Sequence, residues 1–186
     1  TAYEIKECDW SSDVCSSDLN IKFLRRQKMT NSINIGVSEN VRQKVAKDLA
    51  GVLADTYILY IKTHGFHWNV KGANFPQYHA MFEEQYGALS EAVDEIAERI
   101  RALGHVAPGS YAEFAEQKSI DEATGSKTAE EMIEALLHDH EAIARRARDV
   151  ADQASEAGEE ASADLMIQRI QEHEKTAWML RSTSNI

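Results

Sequence analysis

Two pairs of side chains with the chemistry of metal ligands lie along one predicted helix. His79 and Glu83 are four residues apart, and Asp94 and Glu98 repeat that spacing further along the chain. Residues separated by four positions share one face of a helix. Imidazole and carboxylate groups together suit iron, zinc or manganese, and an acidic pair can hold one cation or bridge two. The pattern therefore predicts metal binding.

Each pair taken alone also has a simpler interpretation. Asp94 and Glu98 could form a solvated helix face, which is the better interpretation for an arbitrary acidic helix. His79 could be a hydrogen-bonded interior histidine. Like charges four residues apart destabilise an exposed helix by roughly 0.2–0.5 kcal/mol, and a bound cation would reverse that sign. The combination of the two pairs therefore favours a metal site.

The length of the predicted helix separates the two pairs. His79 and Asp94 are fifteen residues apart, which at about 1.5 Å per residue places them roughly 22 Å apart along the axis. They cannot bind the same ion within one chain. Either the chain has two unrelated sites, or two chains meet antiparallel and each contributes half. A two-fold dimer would make that contact twice and give two equivalent sites.

Four stretches with apolar residues at steps of three and four predict the helices that position these groups. The first begins after Ser38, a suitable N-cap, and runs to about Trp68. The second begins near Pro76, which suits a first helical turn, and ends at Gly104. These two helices contain all the candidate ligands described above.

Two further helices follow a long connection over residues 104–127. Thr128 and Glu131 form a capping box at the start of the third helix, which ends near Gly158. The fourth helix includes residues 165–180. Apolar residues in the connection predict a short helix packed on the body. The fold class is therefore all-α: a ferritin-like four-helix bundle whose long link crosses between helices two and three.

Composition and charge exclude several classes of protein. The chain has 186 residues, of which 43% are hydrophobic, with two prolines and nine glycines, as expected for one helical domain. The longest apolar run, residues 57–61, is far shorter than the roughly 20 residues of a membrane span, and we expect no secretory signal. The net charge of −11 disfavours generic attraction to nucleic acid or anionic lipid and favours cations.

The first 28 residues are predicted to be a non-native, disordered N-terminal extension. Residues 1–19 lack periodicity and contain Cys8 and Cys15, and residues 10–19 back-translate to a sequence that resembles a short-read sequencing adaptor. We interpret residues 20–28 as upstream read-through and Met29 as the natural start; a natural tail with a cysteine pair is the alternative. Residues 29–186 then form the bundle domain, without cysteine, which suits a reducing cytoplasm.

Four motifs resemble those of the Dps miniferritins, the DNA-binding proteins from starved cells. They are H-x-F-H-W-N-V-K-G at residues 64–72, F-x-x-Y-H-x-x-F-E-x-Q-Y at 75–86, V-D-E-I-A-E-R-I-R-A-L-G at 93–104 and H-E-K-T-A-W-M-L at 173–180. The resemblance extends over residues 29–181. It implies a four-helix subunit, a hollow dodecamer, and iron-oxidising ferroxidase centres at two-fold interfaces.

The resemblance also implies roles for individual residues. His67 and His79 are iron ligands from one subunit, and Asp94 and Glu98 come from its mate. Glu83 occupies a position where the family often has an aspartate that assists a second iron.

Three further residues match family positions with weaker implications. Trp68 lies beside the centre in the family, where it could take a transient oxidising equivalent or pack at the interface. Glu159 and Asp164 match positions that line an acidic pore in relatives; they could equally be solvent-facing acids favoured by a helix dipole.

The function implied by the resemblance is that of a ferroxidase and iron store. Family members oxidise Fe(II), preferably with hydrogen peroxide, store ferric mineral in the shell, and protect the cell and its DNA from oxidative stress. The chain has no Glu-x-x-His motif, which argues against a classical ferritin or bacterioferritin. Among the other histidines, we expect His173 to lie at the surface.

The alternative is a nucleoid-associated DNA-binding protein with little iron chemistry. The basic residues near the predicted natural start lie inside the first predicted helix; they are Arg42, Lys44 and Lys47. The C-terminal tail from Arg181 has one basic residue. On an acidic shell, DNA binding is therefore expected to be weak or absent at physiological salt. The expected location is the cytoplasm, with nucleoid association as the alternative.

Overall fold

The structure, a computed structural model, describes residues 33–183 and contains five α-helices in that range. They are α1 (Glu39–Asn69), α2 (Phe75–Ala102), α3 (Tyr111–Gln117), α4 (Ala129–Glu156) and α5 (Glu160–Thr183). The predicted all-α fold with a short helix between the second and third long helices is confirmed. The predicted extension over residues 1–28 lies outside the described residues.

The helix ends follow the predicted capping signals. Ser38 accepts a hydrogen bond from the Val41 N–H, at 3.4 Å, at the start of α1. At the start of α4, Glu131 accepts from the Thr128 N–H at 2.7 Å, while its own N–H donates to Thr128 Oγ1 at 3.2 Å. Gly104 follows α2 with φ of 93°, a left-handed conformation that favours glycine.

The directions of the helices establish the crossover. Lys62 on α1 pairs with Asp139 on α4, and the earlier Asp55 pairs with the later Arg146, so α1 and α4 are antiparallel. Since α1 and α2 form a helical hairpin, α2 and α4 run in the same direction. The link over residues 103–128 must therefore return along the bundle, which is the predicted ferritin-like connection.

A continuous apolar core joins the long helices. The largest fully buried side chains come from α1, α2, α4 and α5 and from the residue after α2: Leu49, Leu53, Leu59, Phe82, Ile96, Ile100, Leu103, Ile133, Leu136, Ile143, Met166 and Leu180. Within residues 33–183, no helix is long and apolar enough to cross a bilayer. The apolar residues are thus used for packing between helices.

A buried carboxylate attaches the crossover to α1. Asp55 is 0% exposed and accepts hydrogen bonds from the Ser119 N–H at 2.5 Å, from Ser119 Oγ at 2.7 Å and from the Ile120 N–H at 3.3 Å. Arg146 Nη1 on α4 donates to the same carboxylate at 2.6 Å and to the Gln117 carbonyl at 3.1 Å. One side chain therefore connects α1, the crossover and α4.

Gly51 makes room for this arrangement, and we expect Gly51→Ala to lower the free energy of unfolding by about 1–3 kcal/mol. A Cβ there would lie 1.8 Å from Arg146 Nη2, so the guanidinium would have to shift and its hydrogen bond to Asp55 would be disturbed. Urea denaturation followed by circular dichroism measures the change.

The matched control is Gly87→Ala on α2, where an added Cβ meets no atom within 4 Å. Helix propensity predicts that this control is stabilised by about 0.5–1 kcal/mol. Equal stabilisation of both variants would contradict the proposed steric role of Gly51.

Candidate metal centre

The turn between α1 and α2 brings two of the predicted ligands together. His67 lies near the end of α1, and His79 lies in the second turn of α2. Their rings stack with centroids 3.7 Å apart and an interplanar angle of 19°. His67 is buried and His79 is half-buried, so the pair sits at the edge of the bundle.

Each imidazole is oriented by the backbone of the other residue. His67 Nδ1 lies 2.9 Å from the His79 carbonyl oxygen, and His79 Nδ1 lies 2.9 Å from the His67 carbonyl oxygen. A carbonyl can only accept, so both Nδ1 atoms carry the proton in the neutral rings. Both Nε2 atoms then keep a lone pair, as a metal ligand requires.

The carboxylates do not join the histidines within the chain. Asp94 and Glu98 are exposed on α2, which is continuous from Phe75 to Ala102 and so keeps them far from His79. In the part of the chain that the structure describes, no three His, Cys, Asp or Glu side chains form a group that could hold a metal ion. The histidine pair is therefore half of a coordination site at most.

Two other predicted residues lie near this half-site. Glu83 is exposed on α2, one helical turn after His79. Trp68 is 66% exposed, and its ring lies against His64 with centroids 4.2 Å apart. His64 in turn stacks on Tyr86 at 4.3 Å, so aromatic rings surround one side of the histidine pair. The predicted roles of Glu83 and Trp68 remain predictions.

The two predicted pore residues differ in environment. Glu159 is buried, its carboxylate pairs with Arg99, and it accepts a hydrogen bond from the Ser162 N–H at 2.9 Å. The alternative expectation that Glu159 faces solvent is therefore wrong: Arg99 balances its charge inside the subunit, and its carboxylate caps α5. Asp164 is exposed and accepts from Gln168 at 3.0 Å. The pore itself remains a prediction.

A second histidine pair lies inside the bundle. His173 was expected at the surface, which is wrong: His173 and His140 are both buried, and their Nδ1 atoms are 2.8 Å apart. The sequence does indicate that His173 is buried, because Ile170, His173 and Ala177 follow the helical spacing of the apolar stripe.

This pair is held neutral in the folded protein. Burial, followed by the nearby His173, lowers the pKa of His140 well below its usual value of 6.5. Burial, followed by the positive charge of Arg169, lowers the pKa of His173 to about 3. The short contact between the two Nδ1 atoms needs one donor and one acceptor, which also disfavours two charged rings.

We therefore expect the free energy of unfolding to fall as pH decreases below about 6.5. The unfolded chain binds protons there while the folded pair does not, at up to about 1.4 kcal/mol per pH unit for each imidazole. Urea unfolding between pH 7 and pH 5 measures the slope. The double variant His140→Leu, His173→Leu should reduce this slope, whereas His138→Leu, at an exposed position on α4, should keep it. Equal slopes in all three proteins would contradict the assignment.

Comparisons with known proteins agree with the ferritin-like class that the crossover and the half-site define. The ferritin-like domain family matches residues 46–185. DNA protection during starvation protein 2 of Bacillus anthracis is 38% identical over 145 residues, which cover 78% of this chain and 99% of that protein. An uncharacterized low temperature-induced protein of Nostoc sp. strain PCC 7120 is 40% identical over 152 residues, with coverages of 81% and 85%.

A solved structure indicates which group of ferritin-like proteins this chain resembles. The crystal structure of a Dps protein from Vibrio cholerae O1, described as a member of a broad superfamily of ferritin-like diiron-carboxylate proteins, matches with a TM-score of 0.78. The two chains are 33% identical, and the match covers 82% of this chain and 98% of that one. The chain belongs to the Dps family of miniferritins, as its motifs predicted.

Proposed function

We propose that this protein is a ferroxidase and iron store that takes Fe(II) as substrate and hydrogen peroxide as preferred oxidant. The observation that carries the proposal is the mutual orientation of His67 and His79. Both rings present a lone-pair Nε2 at one edge of the bundle, as a pair of metal ligands would. The membership of the chain in the Dps family supports iron as the metal.

We propose that a second subunit completes the site with Asp94 and Glu98. Both carboxylates are exposed, and they lie on the same helix as His79 but far along it. Large apolar side chains on the same two helices are also exposed, namely Ile61, Trp68 and Phe75. Such a surface is typical of a protein interface. A two-fold contact would cover it and form two centres, and the family resemblance suggests a dodecameric shell around a mineral core.

The residues of the chain explain how such a centre would act on iron. Neutral imidazoles from His67 and His79 suit Fe(II), whereas carboxylates such as Asp94 and Glu98 favour Fe(III). Two Fe(II) ions give two electrons to one hydrogen peroxide, which takes up two protons and forms two water molecules. Because both electrons arrive at one centre, hydroxyl radical is not released. The charge of −11 attracts the cationic substrate, and Asp164 would line its entry.

We propose that protection of DNA comes from this chemistry rather than from tight DNA binding. Arg42, one of the three basic residues near the start of α1, is buried and donates a hydrogen bond to the Leu103 carbonyl at 2.7 Å. It also pairs with Glu39. Its charge is therefore used inside the subunit, which leaves Lys44 and Lys47 as the two exposed basic residues of that group that could contact phosphates. This supports a weak DNA interaction and a cytoplasmic role in oxidative stress.

Anaerobic loading with Fe(II), followed by a hydrogen peroxide pulse, tests the proposal. We expect rapid growth of ferric absorbance, two irons oxidised per peroxide and little hydroxyl radical in a spin trap. His138→Ala on α4 should behave as the unsubstituted protein does. Oxidation no faster than that of free Fe(II) would contradict the proposal, and a gel-shift titration with DNA would then test the alternative function.

A further inference from the structure

Four of the six tyrosines of the chain form a continuous series of neighbouring rings. Tyr86 on α2 faces Tyr60 on α1, with centroids 6.3 Å apart. Tyr60 is 5.9 Å from Tyr57, one turn earlier on α1, and Tyr57 is 6.2 Å from Tyr111 on α3. Each step lies within the range of directly interacting aromatic pairs.

The series has one end at the half-site and the other at the surface. The edge of Tyr86 meets the ring of His67 with centroids 5.2 Å apart and an interplanar angle of 76°. Tyr86, Tyr60 and Tyr57 are half-buried, whereas Tyr111 is 72% exposed. The rings thus connect the candidate iron ligands with solvent on α3.

We propose that these tyrosines carry single oxidising equivalents from the iron-oxidising site to Tyr111. The inference rests on the proposed ferroxidase function and deepens it. The relay is needed when one Fe(II) instead of two meets a hydrogen peroxide. Fe(II) then supplies one electron, and a tyrosine supplies the second electron together with its phenolic proton. With one further proton from solvent, the peroxide becomes two water molecules, leaving Fe(III) and a neutral tyrosyl radical.

Each later step moves the radical by one residue without net chemistry. The next tyrosine gives an electron and a proton, its predecessor becomes a phenol again, and the radical advances from Tyr86 through Tyr60 and Tyr57 to Tyr111. At Tyr111 a soluble one-electron donor can return the hydrogen atom. An oxidising equivalent is thereby removed from the iron ligands, which would otherwise be damaged by it.

The environment of Tyr57 suits this transfer. Burial, followed by the charge of Tyr111 and a hydrogen bond with it, raises the pKa of the Tyr57 phenol above its usual value of 10.0. Tyr57 therefore keeps its proton at neutral pH, and once it is oxidised it has Tyr111 beside it as the hydrogen-bonded phenol that returns an electron and a proton. Phe114 stacks on Tyr57 with centroids 4.5 Å apart and holds the ring in place.

Radical trapping on the full chain tests the relay. The protein is loaded with less than one Fe(II) per site, treated with hydrogen peroxide and a nitroso spin trap, and digested for mass spectrometry. Electron paramagnetic resonance on protein with ring-deuterated tyrosine identifies the radical type, and ferric absorbance is recorded in the same samples. We expect a tyrosyl signal and a trap adduct on Tyr111.

Two variants distinguish the relay from simple exposure. Tyr57→Phe keeps the ring but removes the phenol, and should lower the Tyr111 adduct at least about tenfold, which corresponds to about 1.4 kcal/mol. Tyr78→Phe is the matched control, because Tyr78 lies beside His79 on α2 but outside the series, and its adduct pattern should not change.

The outcomes separate this inference from the proposed function. Slow iron oxidation in every protein would contradict the ferroxidase function itself. Rapid oxidation with a Tyr111 adduct that Tyr57→Phe leaves unchanged would overturn the relay alone. A radical found only on Trp68, which is exposed and reached through His64, would also overturn it.

Discussion

A mixture of two inactive variants is expected to oxidise Fe(II). His67→Ala removes a proposed imidazole ligand and Asp94→Ala removes a proposed carboxylate ligand, and each should slow iron oxidation by at least about 100-fold on its own. If each centre takes its histidines from one subunit and its carboxylates from another, a mixed dimer has one centre with both defects and one intact centre. Random mixing should then restore about a quarter of the activity.

The experiment unfolds the two variants together in equal amounts and refolds them before the peroxide assay. Each variant refolded alone is the control for refolding, and a mixture of the separately refolded variants is the control for simple addition. Two unrelated sites within one chain would give no recovery. Recovery of iron oxidation therefore tests whether two subunits share each centre, and the number of subunits in the whole assembly need not be known.

Asp55→Ala is expected to cost more stability than any other single substitution considered for this chain. The carboxylate is fully buried and receives hydrogen bonds from Ser119, Ile120 and Arg146. Its removal leaves the buried donors without their acceptor and the partly exposed Arg146 without its counter-ion. Breaking a fully buried pair costs about 3–5 kcal/mol, and we expect the lower end of that range. Urea unfolding measures the loss, and faster proteolysis within residues 103–128 should accompany it because Asp55 attaches the crossover to α1.

Two companion variants define the origin of that loss. Asp55→Asn keeps the shape and part of the hydrogen bonding but removes the charge, so it should fall between the unsubstituted protein and Asp55→Ala. Asp149→Ala removes an exposed carboxylate on α4 and should change stability by no more than about 0.5 kcal/mol. A loss for Asp55→Ala within that range would show that the crossover is held by other contacts.

Local sequence signals predicted the helices well because the interactions that end a helix are themselves local. Ser38 accepts a hydrogen bond from Val41, three positions later, and Thr128 and Glu131, also three positions apart, hydrogen-bond to each other. The short turn between α1 and α2 explains why His67 and His79 lie close together, and their role as ligands remains what the family motifs imply. The choice of nitrogen atom was not predictable, because it depends on where two backbone carbonyls lie after the helices have packed.

The polar residues in the interior were missed for the opposite reason. Asp55 meets Ser119 and Arg146, which are 64 and 91 positions away in the chain. Glu159 similarly meets Arg99 across 60 positions. Residue type alone assigns such side chains to the surface, and only the tertiary partner makes their burial favourable. His173 differs, because its place in an apolar stripe was visible before its partner was known.

The Nδ1 atom of each of His67 and His79 contacts the backbone carbonyl of the other residue. Either side chain can therefore be replaced without removing the contact that orients the other ring. Each ring is oriented by a backbone oxygen, and a backbone oxygen survives any side-chain replacement at that position. A subunit that loses one imidazole thus still presents the other with the same nitrogen outward. The orientation of the remaining ring is therefore kept when one imidazole is removed, so the slower iron oxidation expected of His67→Ala would report the missing imidazole rather than a disordered site.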